Sequence, residues 1–152
     1  MSSEQSPVDG LSDDAILAIL DDTRHIAVVG FSDKAERASY GVARYLANAG
    51  FSVLGINPAL AGQNVDGIDV YASLEDVPGN VDIVDVFRRR DAIPGVTDEV
   101  LRLANERGIH TLWLQLDLVD NASADRARDN GLTVVMDRCL KIEHARLMPG
   151  PA

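Results

Sequence analysis

The chain alternates between short apolar runs rich in β-branched residues and longer stretches in which apolar residues return every three or four positions. The first pattern predicts buried strands and the second predicts helices with one covered face. Ser12-Asp13-Asp14 opens a short lead-in helix, with an acidic first turn and Ile16, Leu17 and Leu20 at helical spacing. His25-Ile26-Ala27-Val28-Val29-Gly30 is a compact apolar run ending in glycine, which predicts a central strand covered on both faces. A polar loop from Phe31 to Ser39 leads into a helix carrying Val42, Tyr45, Leu46 and Ala49, closed by Gly50 where a left-handed cap is needed.

The unit then repeats. Phe51 to Ile56 reads as a second strand, broken by Asn57-Pro58 because proline donates no ladder hydrogen bond. Ala59 to Gly79 is glycine-rich, with a short strand near Asp69-Val70-Tyr71 and a helical turn from Ser73; Ala61 to Asp69 reads as a mobile flap or part of a contact. Val81 to Phe87 is a further strand, with Arg88-Arg89-Arg90 at its carboxyl end. Pro94 fits the first turn of a helix that carries Val96, Val100 and Ala104 and stops at Gly108. Thr111 to Leu116 makes a strand, Asn121 to Asn130 a helix capped by Gly131, Leu132 to Met136 the last strand, and a final helix starts near Asp137. Strands alternating with helices at this spacing pair in parallel through right-handed crossovers. The expected fold class is therefore α/β, a doubly wound, mostly parallel sheet with helices on both faces. A flexible tail over residues 1–10 precedes one domain over residues 11–148.

Composition narrows the functions available. A length of 152 residues leaves room for one domain and argues against a two-domain enzyme. The net charge of −10 repels a phosphate backbone, so general nucleic-acid binding is disfavoured. There are 18 Asp against 6 Glu and 12 Arg against 2 Lys, a bias found in proteins of salt-loving organisms, although an ordinary acidic protein is the alternative. Cys139 is the only cysteine, so no intramolecular disulfide forms, and three scattered histidines give no metal-ligand spacing. No run of about 18 apolar residues and no leader-like start is present, which predicts a cytoplasmic protein without a membrane partner.

Ligands of open α/β sheets sit outside the carboxyl ends of the strands. Gly30-Phe31-Ser32, Asn57-Pro58, Phe87-Arg88 and Gln115 fall at such ends. Gly30 permits a tight turn whose following amides, with the helix dipole, suit a pyrophosphate, so valine at position 30 would intrude on the phosphate. The G-x-G-x-x-G fingerprint is incomplete, with Ser32 and Ala35 where glycines belong. Asn57 stands where nicotinamide enzymes place a ribose-binding carboxylate. Lys34, Arg37 and Arg88 can instead neutralise additional phosphate, Arg88 through its bidentate guanidinium.

The segments Ile26 to Ser32, Arg37-Ala38-Ser39-Tyr40, Ile56-Asn57-Pro58, Val81 to Arg88, Leu112-Trp113-Leu114-Gln115 and Met136-Asp137-Arg138-Cys139, in this order, closely resemble the CoA-binding domain proteins. These are small stand-alone proteins similar to the amino-terminal domain of the succinyl-CoA synthetase alpha subunit. The resemblance runs from about His25 to Leu147 and implies a Rossmann-like fold with coenzyme A, or an acyl-CoA, laid across the strand ends. Its ADP portion would lie near the glycine loop and the Asn-Pro turn. Gly30, Phe31 and Ser32 would present backbone donors, and Ser39 would cap or hydrogen-bond. Lys34, Arg37 and Arg88 would face phosphates, with Asn57 and Pro58 shaping the adenine side and Tyr40 and Phe87 completing the site. Ala38 and Asp117 depart from the proline and glycine that such proteins typically carry.

The ligases of this type add a domain with a phosphorylated histidine, which His25, His110 and His144 do not replace. Asp82 and Asp85 lie three apart in a strand and face opposite sides, so they form no acid/base pair. Cys139 beside Arg138 is either a reactive thiolate or an anchor for the last helix. Without a catalytic constellation the first expectation is a non-catalytic or accessory CoA-binding module, with a protein partner or homo-oligomer left open. The alternatives are an NAD(H)-binding sensor or oxidoreductase domain and an interaction protein with a vestigial cleft.

Overall fold

Strand β1 (His25–Val29) runs through the middle of a seven-stranded sheet in the computed structural model, which describes residues 7–148. β2 (Ser52–Ile56) pairs with it in parallel on one side. Beyond β2 come β3 (Asn64–Val65) and β4 (Ile68–Tyr71), β4 parallel to β2 and β3 antiparallel at the edge. On the other side β5 (Ile83–Val86), β6 (Thr111–Leu114) and β7 (Thr133–Val135) follow, all parallel. The order β3-β4-β2-β1-β5-β6-β7 reverses direction at β1 and β5. That reversal opens a crevice between diverging loops.

Consecutive residues of a strand point to opposite faces, and both faces of the central strands are buried. Ala27 and Val29 of β1, with Val84 and Val86 of β5, pack beneath α3 (Ile93–Arg107) and α4 (Asn121–Asp129) through Val96, Val100 and Ala124. Ile26, Val28, Ile83 and Trp113 pack on the opposite face beneath α1 (Asp13–Asp21), α2 (Ala38–Asn48) and α5 (Leu140–Leu147), through Ile16, Val42 and Leu140. Unbroken apolar runs are what such a three-layer arrangement demands. The expected α/β, Rossmann-like, doubly wound class is the observed one.

Two expectations need correction, and the edge of the sheet adds a strand, β3, that the sequence reading did not include. Gln63 to Val70 is a hydrogen-bonded hairpin, with the Gly62 amide donating to the Val70 carbonyl and the Val70 amide to Gln63. Asp66 and Gly67 turn it, both at positive φ (51° and 95°), as a two-residue hairpin loop requires. The last helix starts at Leu140 rather than near Asp137, because Asp137 adopts φ 57° and its carboxylate accepts from the Asp117 amide at 2.8 Å. Finally, residues 7–10 do not form a free tail. Asp9 is buried and bound to Arg138 by two hydrogen bonds of 2.9 and 3.0 Å. Residues 1–6 of that expected tail lie outside the described residues.

Asp82 and Asp85 do face opposite ways, with different fates. Asp82 accepts from the Arg24 and His25 amides at 2.8 and 2.9 Å and fastens the start of β1. Asp85 is fully buried in register between Val28 and Trp113, and neither carboxyl oxygen has a hydrogen-bond partner. Burial pushes this carboxyl well above the usual carboxylate range, so it keeps its proton. The unfolded chain ionises above about pH 4, and stability is therefore lost as pH rises toward the raised folded value. Asp85→Val, which matches the strand and removes an unsatisfied group, is expected to add about 1–3 kcal/mol at neutral pH. Urea unfolding at pH 4 and pH 8 checks it, the gain being larger at pH 8; a loss of stability there would show that Asp85 has a stabilising role.

Candidate functional site

The crevice at the strand reversal is a cleft of about 470 Å³, built from the loop after β1, the turn after β2 and the end of β5. Of the residues expected there, Gly30, Phe31, Ser32, Lys34, Arg37, Ser39, Asn57 and Phe87 line it. Ala38, noted in the sequence as a departure, lines it as well, and so do Asp33, Ala59 and Leu60, which were not singled out by the sequence. They follow only from the paths of the two loops.

The loop after β1 is locked to its neighbours before any ligand arrives. The Gly30 and Phe31 amides both donate to the Ile56 carbonyl, at 3.0 and 3.3 Å, so they are not donors to a ligand as expected. Gly30 sits at φ 87°, and a Cβ there would lie 2.3 Å from the Phe87 carbonyl oxygen. Its glycine is needed for the close approach of β1 to β5. The Phe31 ring is fully buried over Gly55, where a Cβ would meet the ring at 2.6 Å. Only the backbone of Phe31 is left to shape the cleft.

Asn57 holds the two loops together. Its Nδ2 donates to the Phe31 carbonyl at 2.8 Å, and its Oδ1 accepts from the Ala59 amide at 2.9 Å. Pro58 begins the turn behind Asn57 and does not reach the cleft lining. Tyr40 also lies outside it. Its hydroxyl donates to Asp66 and accepts from Arg44 at 3.0 Å, tying α2 to the hairpin turn. The Asp66 carboxylate raises the Tyr40 hydroxyl above its ordinary pKa, so this phenol stays protonated.

The charge of the cleft is set by a few groups. α2 begins at Ala38 with Arg37 in the cap position and no side-chain cap; the Tyr40 amide donates to the Arg37 carbonyl, which leaves those of Ala38 and Ser39 available to solvent or an anion. Ser39 is the second residue of the helix and is not the cap. Lys34 and Arg37 are exposed along the rim, and Asp33 is the one carboxylate among the lining residues. Arg88 is not a lining residue, but its Cδ lies 3.2 Å from the Cβ position of Gly30, so its stem passes over the edge of the loop. Among the described residues, Lys34, Arg37 and Arg88 have no carboxylate within 4 Å. Arg89 pairs with Asp91 at 3.4 Å, and Arg90 donates to the Asp117 carbonyl at 2.9 Å. Asp117 takes φ 69°, the conformation for which glycine is the usual choice, and its carboxylate does not line the cleft.

No group of three or more His, Cys, Asp or Glu residues is placed to hold a metal ion among the described residues. None of the described helices is long and apolar enough to cross a membrane.

A doubly wound sheet with its cleft at the strand reversal defines a Rossmann-like α/β domain. Within that class the chain belongs to the CoA binding domain family, which matches residues 24–145. The protein YneT of Bacillus subtilis strain 168 is 36% identical over 130 residues, covering 86% of this chain and 92% of its own length. A hypothetical protein of Pyrococcus horikoshii OT3 superposes with a TM-score of 0.86 at 31% identity, over 97% of this chain and 99% of its own. A Thermus thermophilus protein gives 0.84 at 36% identity, over 91% and 100% respectively.

Proposed function

We propose that this protein binds coenzyme A or an acyl-CoA in the cleft at the strand reversal, as a non-catalytic or accessory module. The observation that carries the reading is that Lys34 and Arg37 stand on the cleft beside an uncapped helix start, with Arg88 next to the Gly30 loop, none of the three paired with a carboxylate among the described residues, in a chain of net charge −10. Such a site suits a ligand with several phosphates. Asn57 opposes the NAD reading, since both polar groups of its side chain are held by Phe31 and Ala59 and no carboxylate stands there for a ribose. Membership of the CoA binding domain family supports the same ligand.

Thermal unfolding with CoA, acetyl-CoA, dephospho-CoA and NAD, in low and high salt, tests the reading. At about a hundredfold excess over Kd a true ligand adds roughly 2.7 kcal/mol, several degrees for a domain of this size. The expected result is a shift with CoA that shrinks with dephospho-CoA; a shift with NAD alone, or with none, overturns it. Arg88→Ala is expected to weaken CoA by about 1.5–3 kcal/mol, the worth of hydrogen bonds to a charged group. Unchanged affinity in calorimetry would remove Arg88 from the site.

A further inference from the structure

A second cleft, of about 430 Å³, opens at the carboxyl ends of β6 and β7 beside the start of α5. It lies on the same edge of the sheet as the first, because every strand from β2 across to β7 is parallel. Three large apolar side chains are notably exposed among the described residues: Val8 at 52%, Leu116 at 47% and Ile142 at 51%. All three line this cleft, together with Met136 and the thiol-bearing Cys139. Its two arginines are paired with carboxylates, and Asp137, the lining carboxylate with no cation beside it among the described residues, accepts from the Asp117 amide. Arg146 bonds Asp13 at 2.8 Å and Glu143 at 2.9 Å, and Arg138 bonds Glu143 at 2.9 Å. An uncharged group entering this cleft would therefore find its contacts on the apolar side chains of Val8, Leu116 and Ile142.

Between the two clefts the ends of β5 and β6 lie side by side, the Gln115 amide donating to the Val86 carbonyl at 3.3 Å. Gln115 is 8% exposed, and its side-chain oxygen accepts no hydrogen bond. Gln115 is followed in the chain by Leu116 of the second cleft and is bonded to the residue before Phe87 of the first, so an extended ligand arm running from one cleft to the other would cross the strand ends here.

We infer that the second cleft receives the acyl end of an acyl-CoA, with the pantetheine arm crossing at Gln115 and an uncharged, short apolar acyl group resting between Leu116, Ile142 and Cys139. This rests on the CoA reading above and adds the substrate class. The paired arginines leave no free cation for a carboxylated acyl group, while burial of methylenes favours a longer chain by about fourfold per CH₂.

The test uses butyryl-CoA, acetyl-CoA, CoA and adenosine 3′,5′-bisphosphate with the full chain. Calorimetry is expected to show butyryl-CoA binding about tenfold tighter than acetyl-CoA, a preference that falls to within about twofold in Ile142→Asp. The ratio is the readout, so a general loss of folded protein does not imitate it. Because Cys139 is the only cysteine, its alkylation by iodoacetamide can be followed by mass. Saturating butyryl-CoA is expected to slow alkylation at least fivefold, and adenosine 3′,5′-bisphosphate, which reaches only the first cleft, is expected to leave it unchanged. Binding of CoA with no acyl preference, or with no protection of Cys139, overturns this inference and leaves the CoA reading standing. Failure of every CoA ligand to bind overturns both.

Discussion

Asp9→Ala is expected to lower the unfolding free energy by about 3–5 kcal/mol, the usual cost of stripping one partner from a buried ion pair. The carboxylate is wholly buried, and the Arg138 side chain is 11% exposed. Asp9 receives Nε and Nη2 of Arg138 at 2.9 and 3.0 Å, and the amides of Leu11 and Met136 at 3.0 and 3.1 Å. Removing it strands a guanidinium whose only remaining side-chain partner among the described residues is Glu143, with Nη2 still donating to the Leu11 carbonyl. For a domain of this size the melting temperature should fall by roughly 10 °C. Deleting residues through Gly10 should cost at least as much, whereas a free tail would be removed at no cost.

The pH dependence provides a second readout. Burial alone would raise the Asp9 carboxyl, but the hydrogen bonds from Arg138, Leu11 and Met136 outweigh it and hold it below its ordinary pKa. A lowered folded pKa means that the contribution is present above the unfolded value of about 3.9 and is lost as pH falls through the folded one. The gap between wild type and Asp9→Ala in urea should therefore narrow below about pH 4. A constant gap, or a loss below 1 kcal/mol at pH 7, would show that Asp9 contributes little to stability.

The Asp9 pair also marks where sequence reading stops. Strands announce themselves through local apolar runs, as at His25 to Val29 and Ile83 to Val86, because both faces of the sheet are covered. Asp9 and Arg138 are 129 residues apart, and no local pattern in a polar leader distinguishes an acid that will be buried from one that will not. β3 escaped for a different reason. Two residues are too few to show a period, and only the Asp66-Gly67 turn pointed to a hairpin.

The candidate site divides in the same way. Gly30, Asn57 and Phe87 were legible because a strand end followed by a turn can be read from the chain, and the fold class then places all three at one crevice. Side-chain direction was not legible. Phe31 turns inward because Gly55, on the neighbouring strand, leaves room for its ring, and Tyr40 turns outward because Asp66 and Arg44 hold its hydroxyl. Both outcomes depend on contacts across strands and helices that spacing within one segment does not encode.

Gly30 carries the other large expected effect, and its reason differs from the one its position in a ligand loop implies. A methyl group at residue 30 would stand 2.3 Å from the Phe87 carbonyl oxygen and 2.9 Å from its carbon, both backbone atoms that move only if β5 moves. The substitution also forces a side chain onto φ 87°. Overpacking of about 1–3 kcal/mol and backbone strain of similar size together predict that Gly30→Ala loses about 3–5 kcal/mol, with valine losing more. Gly50 separates the two terms, since it has φ 107° but no heavy atom within 4 Å of its Cβ position. Gly50→Ala should show the conformational cost alone, about 1–2 kcal/mol. Denaturant unfolding of both variants without ligand decides the matter. If Gly30→Ala loses no more than Gly50→Ala, the close approach of β1 to β5 is soft, and the glycine is to be explained by ligand contact after all. If it loses several kcal/mol more, the two central strands are pinned at this residue, and the cleft exists because they can come that close before they part.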